Sequence, residues 1–115
     1  GSLSRLKQHV IGKRTREEVG AGIMELIERF KTSPTRNVAI DIRDAVYDQP
    51  IDDVVAEWAL VAAALPPARV ALVASARTRP QAVAAVKALS DSHHEARVFD
   101  QLTDAFLWLS DVAAS

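Results

Sequence analysis

The chain has 115 residues, 49% of them hydrophobic and 25% charged, with a formal net charge of −1 and no cysteine. That length supports one domain around one core, and the near-neutral balance gives no electrostatic footprint for nucleic acid or an anionic membrane. Without cysteine there are no disulfides, thiolate nucleophiles or Cys-based zinc sites, which favours a reducing, cytoplasmic setting; no apolar run is long enough to span a bilayer and no signal-peptide pattern is visible.

Gly1-Ser2 in place of a starting methionine has the look of a tag-cleavage scar, so the natural N-terminus can lie further upstream. Residues 3–15 carry a modest strand signal in Val10-Ile11 ahead of Gly12. A helix is predicted over 15–30. Thr15 followed by Glu18 has the spacing of a capping box, and Val19, Ile23, Leu26, Ile27 and Phe30 share one face at the 3.6-residue period. "KTSPTR" (31–36) stops it, and "NVAIDI" (37–42) reads as a short apolar strand. The following stretch, 43–50, reads as a loop. A second helix is predicted over 51–65, with Asp52 and Asp53 at its positive N-terminal end and Pro66-Pro67 closing it.

"ARVALVAS" (68–75) is the clearest strand, apolar on both faces as a central parallel strand is. A third helix over 79–92 has Pro80 in its first turn. "EARVFD" (95–100) is a last short strand, and 102–113 a terminal helix with Leu102, Ala105, Phe106, Leu109 and Val112 on one side. The order β-α-β-α-β-α-β-α predicts a small α/β sandwich: a mostly parallel sheet of four strands with right-handed crossovers and four helices. Ligands in such sheets prefer the carboxyl ends of the strands, here the segments 43–50, 75–80 and 100–101.

Those segments hold the candidate site residues. Asp44, Tyr47 and Asp48 lie in the first. The plainer reading is that Asp41 or Asp44 caps backbone in a turn while Asp52 and Asp53 serve the helix. A phospho-receiver site lacks its acidic pair and its lysine, and a dinucleotide site lacks a Gly-rich turn. Arg77 and Arg79 can cradle an anion beside a helix N-terminus, or be solvated, or pair with Asp44 and Asp48. His9, His93 and His94 complete no metal set by spacing, and the His93-His94 pair reads as solvent-exposed. No serine sits in a Gly-flanked elbow. No cofactor is implied. The 51–65 helix is apolar nearly all round, which points to burial on more than one side: a protein contact, a lipid-like groove, or plain alanine richness. Trp58 is either the anchor of such a contact or a core residue.

The residues "GKRTREEV" (12–19), "NVAIDIRD" (37–44), "ARVALVAS" (68–75) and "ARVFDQLTDAFLWL" (96–109) resemble the SpoIIAA-like branch of the STAS-type domains, grouped with STAS/SEC14-like proteins. The resemblance covers nearly the whole chain and implies a four- or five-stranded α/β domain without enzyme activity. Such domains bind partner proteins in the sigma-factor regulatory branch, or nucleotides or lipids in others. The regulatory branch carries a phosphorylatable serine where the loop enters the second helix. The matching "YDQPIDD" (47–53) has no serine, threonine or glycine, and Asp48 stands where fixed negative charge can replace it, with less charge than phosphate. Two functions follow as expectations. One is a protein partner or self-association through the 51–65 helix, as in a homodimer. The other is a small apolar or anionic ligand between 43–50 and 75–80, with Arg77 or Arg79 on its polar end.

Overall fold

The computed structural model describes residues 6–33 and 35–110. The elements run β1 (Leu6–Arg14), α1 (Arg16–Thr32), β2 (Asn37–Tyr47), α2 (Ile51–Ala64), β3 (Arg69–Val73), α3 (Arg79–Ser90), β4 (Glu95–Phe99) and α4 (Leu102–Ser110). This is the predicted alternation. The four strands form one sheet in the order β1-β2-β3-β4, parallel at every pairing. The end of the predicted fourth helix, with Val112, lies outside the described residues.

Because sheet order equals chain order, each crossover steps the same way. Right-handed crossovers that all step one way stack their helices on one face. The core divides accordingly. One cluster joins Leu26 and Phe30 of α1, Val61 and Ala62 of α2, and Ala82, Ala85 and Leu89 of α3 to Val38, Ile40, Val70 and Leu72 of the sheet. The other joins Ala105 and Leu109 of α4 to Ala39, Ala71 and Val73 on the opposite face. Both faces of β2 and β3 are therefore covered, which accounts for their continuous apolar runs.

Local signals set the helix ends. The Glu18 N–H donates to Thr15 Oγ1 at 3.2 Å, and the Thr15 hydroxyl meets Glu18 Oε1 at 3.3 Å. The Thr15 half of the expected capping box therefore forms, while among the described residues the Glu18 carboxylate accepts from the Thr15 hydroxyl instead of the Thr15 backbone N–H. At α2 the proline pair creates a problem. Pro66 has no N–H, so the Ala62 carbonyl cannot receive the bond that a helical residue four positions on supplies.

His94 solves it. Its Nε2 donates to Ala62 O at 2.7 Å, while its Nδ1 accepts from the Ala68 N–H at 3.1 Å. The acceptor role of Nδ1 places the ring hydrogen on Nε2. His93 Nε2 meets Leu65 O at 3.0 Å, and its Nδ1 meets Ser92 Oγ. The two rings lie 4.3 Å apart. The sequence expectation of an exposed pair holds for His93 and is corrected for His94. His94 is only 6% exposed, because the α2 terminus and the start of β3 need a buried two-ended hydrogen-bond partner.

The other departure lies in β2. Residues 43–47 are strand and not loop, so only 48–50 separate β2 from α2. Opposite β1, His9 pairs with Asp41 and Ile11 with Asp44, so β2 spends one residue more than β1 across this step. Such a bulge reverses the alternation of the strand that carries it. Val38, Ile40 and Ile42 enter the helix-covered core, but beyond the bulge Ala45 and Tyr47 do so.

His94→Ala leaves two buried backbone groups without partners. It should lower unfolding stability by about 2–4 kcal/mol, read from urea denaturation. Loss of less than about 0.5 kcal/mol is the level of an ordinary surface change and would show that His94 does not hold this junction.

Candidate functional site

Two surfaces stand out once the topology is fixed: the carboxyl edge of the sheet and the outward side of α2. At the carboxyl edge the connection after β3 leads to α3 on one face, while that after β4 leads to α4 on the other. Adjacent connections that diverge leave a crevice between them. The crevice is about 460 Å³ and is lined by Arg43, Ala74, Ser75, Ala76, Arg79, Asp100 and Gln101. The β3–α3 turn is tied down by Thr78. Its Oγ1 accepts from the Ser75 N–H at 3.0 Å and lies 3.2 Å from Ser75 Oγ.

The two candidate arginines behave differently. Arg77 donates to the carbonyls of Arg43 (3.3 Å) and Ala45 (3.0 Å), so its guanidinium braces the far end of β2. Ion pairing with Asp44 or Asp48 is not its role. Arg79 is exposed on the crevice wall and makes no side-chain hydrogen bond or ion pair among the described residues.

The bulge assembles a polar cluster beside this crevice. Asp41 and Arg43 are two residues apart on one face, and the reversed alternation turns Asp44 to that face as well. Arg43 grips Asp41 with Nε–Oδ1 at 3.0 Å and Nη2–Oδ2 at 2.8 Å, and the Arg43 N–H adds a third bond to Oδ1. His9 on β1 lies 3.0 Å from Asp44 Oδ2 and 4.0 Å from Asp41 Oδ2. Asp41 is 2% exposed and Asp44 65%. Spacing along the chain hides this grouping, because only the β1–β2 register brings His9 to the carboxylates. The capping reading was therefore half right: Asp41 does accept from backbone, but inside a strand and mainly as an ion-pair partner.

The remaining candidates separate. Tyr47 and Trp58 are half-buried and line an apolar gap of about 50 Å³ among α1, α2 and the β1–β2 side of the sheet, with Val19, Ile23 and Val61. That volume is far below the roughly 150 Å³ of a cavity that takes up benzene. Trp58, half-buried, packs against the core cluster. Asp48 is exposed in the turn before α2, and Gln49 Nε2 donates to Glu57 Oε1 at 2.9 Å to fasten that turn to the helix.

The outward side of α2 is the second surface. From Val54 to Ala64 its exposed residues are Val55, Ala56, Ala59, Leu60, Ala63 and Ala64, none of them polar. Leu60 is 69% exposed and Val55 40%. Among the described residues no helix is long and apolar enough to cross a membrane.

Burial by itself raises the pKa of Asp41, but the hydrogen bonds from Arg43, the Arg43 charge and the His9 charge together outweigh it and hold the carboxyl below its ordinary value. A depressed folded-state pKa stabilises the fold above the unfolded value of about 3.9, and that contribution disappears as pH falls through the lower folded value. Asp41→Asn should cost about 1–3 kcal/mol at pH 7, less than a wholly buried pair because Arg43 reaches solvent. The gap to wild type should shrink below about pH 4. Thermal melts at pH 7 and pH 3 test this, and an equal gap at both rules out the ion pair as its source.

Comparison of the chain with protein-family models, with curated proteins and with solved structures returned no match.

Proposed function

We propose that this chain is a non-enzymatic docking domain that engages a partner protein through the outward side of α2. The observation that carries the proposal is the run Val55, Ala56, Ala59, Leu60, Ala63 and Ala64, exposed and without a polar side chain, in a chain of otherwise ordinary charge. Isolated exposed apolar residues need no explanation, but a helix side on which Asp52, at its N-terminal end, is the one exposed polar residue favours a contact. Leu60, the most exposed of the large apolar residues, is its natural anchor.

Charge selects the kind of partner. α2 carries three carboxylates and no basic residue, and α1 carries four carboxylates against three basic residues. Two copies meeting through α2 bring like charges together. A different protein, with apolar side chains bracketed by lysine or arginine, fits better. Asp48, exposed at the entry to α2, adds to the same acidic border. The resemblance of residues 12–19, 37–44, 68–75 and 96–109 to SpoIIAA-like domains belongs to this proposal and supports binding without catalysis.

Leu60→Asp should abolish binding to the partner while leaving the melting temperature within a few degrees of wild type, since this side chain is already in water. Proximity labelling in cells with wild type and variant, followed by titration of the purified partner, reads the outcome. A partner that binds both forms equally refutes α2 as the docking surface. Concentration-dependent dimerisation by sedimentation velocity, lost in Leu60→Asp, would replace the foreign partner with a second copy.

A further inference from the structure

We propose that the crevice at the carboxyl edge of the sheet binds a small zwitterion, with its anionic group on Arg79 beside Arg43 and its ammonium group on Asp100. This site shares no residue with the docking side of α2 and stands independently of it.

The crevice is a consequence of the chain path. The segments after β3 and β4 leave for opposite faces, and the gap between them holds about 460 Å³. That is within the size range of small-ligand sites, roughly 300–1,000 Å³. Two walls face it: Ser75, Ala76 and Arg79 on one side, Asp100 and Gln101 on the other, with Arg43 from β2.

The charges on those walls are distributed unequally among partners. Arg43 spends Nε and Nη2 on Asp41, and its Nη1 makes no hydrogen bond among the described residues. Arg77 is committed to two backbone carbonyls. Arg69, away from the crevice, pairs with Glu95 at 3.4 Å and lies over the Trp108 ring. Arg79 and Asp100 remain. They line one crevice from opposite walls, yet no ion pair joins them, and neither has a side-chain partner among the described residues. The uncompensated charges are therefore one cation and one anion held apart across a gap. A ligand with a single charge satisfies one wall and is opposed by the other. A ligand with both charges satisfies the two together.

Arg43 and Arg77 fix the polarity. Arg43 leaves Nη1 as a donor on the crevice lining while its charge is balanced by Asp41, and Arg77 donates to the carbonyls of the same strand end, so the anionic end belongs with Arg79 on this donor-rich side. Ser75 and Gln101 supply neutral hydrogen-bonding groups along the walls.

The test is a titration of ¹H–¹⁵N spectra of the intact chain with O-phosphoethanolamine and with β-alanine, a phosphate and a carboxylate zwitterion. Inorganic phosphate and ethanolamine serve as the separated halves. At least one zwitterion should give saturable shifts at the amides of Ser75, Ala76, Arg79 and Gln101, with millimolar or tighter affinity. It should bind at least about tenfold more tightly than either of its halves. Arg79→Gln and Asp100→Asn should each weaken it about tenfold, because each removes one charge-assisted contact. Both residues are exposed, so neither change disturbs the core. The proposal is overturned if neither zwitterion gives saturable shifts, or if the shifts persist undiminished in both variants. Phosphate binding as tight as that of O-phosphoethanolamine and indifferent to Asp100→Asn would assign the crevice to a simple anion.

Discussion

One topological constraint organises this molecule: the strands lie in the sheet in the order in which they occur in the chain. Every parallel crossover then steps in the same direction. The preference for right-handed crossovers leaves α1, α2 and α3 no choice of face. α4 is not a crossover between two strands of this sheet among the described residues, and it packs on the other side. The division of the core into a larger cluster under three helices and a smaller one under α4 follows from this. So does the crevice, because the connections after β3 and β4 must part. The central place of α2 in its layer also follows: it is half-buried by its neighbours, and one side remains in water.

The bulge in β2 is a smaller event with a wide effect. An alternating strand cannot bury Ile40 and Ile42 and then Ala45 and Tyr47 without gaining one residue. The same extra residue brings Asp41, Arg43 and Asp44 together on the α4 side and sets them against His9. A carboxylate as buried as Asp41 is costly unless paired, and Arg43 meets it with two side-chain bonds and one from the backbone. Asp41 is therefore a structural ion-pair member placed next to a crevice. Arg43 belongs to both, which links the stability of the strand end to the electrostatics of the crevice.

The end of α2 shows how a local sequence choice creates a demand met from far along the chain. Pro66 ends the helix but leaves a carbonyl without its donor. His94, 32 residues beyond Ala62, supplies the missing bond and takes another from the start of β3. The two histidines thus fasten α2, the β2–β3 crossover and the α3–β4 turn into one piece. α2 is thereby tied down at its C-terminal end, with Val55 and Leu60 exposed along it.

Much of this fold is legible in the chain itself. The 3.6-residue spacing of Val19 to Phe30, the Thr15–Glu18 cap, the prolines at 66, 67 and 80 and the apolar run 69–73 are local signals, and they mark the elements to within a few residues. The alternation of strands and helices then implies a parallel sheet, because parallel neighbours need long crossovers. What the sequence could not decide were relations between residues distant along it. The β1–β2 register brought His9 to Asp44, the bulge turned "RDAVY" from an expected loop into strand, and packing drew His94 inside and Trp58 against the core. The same packing separated Arg77, which braces β2, from Arg79, which faces the crevice. Periodicity and capping depend on neighbours a few residues away and are written in order along the chain. Register, face and charge partnership depend on which strands meet, and only the assembled sheet decides that.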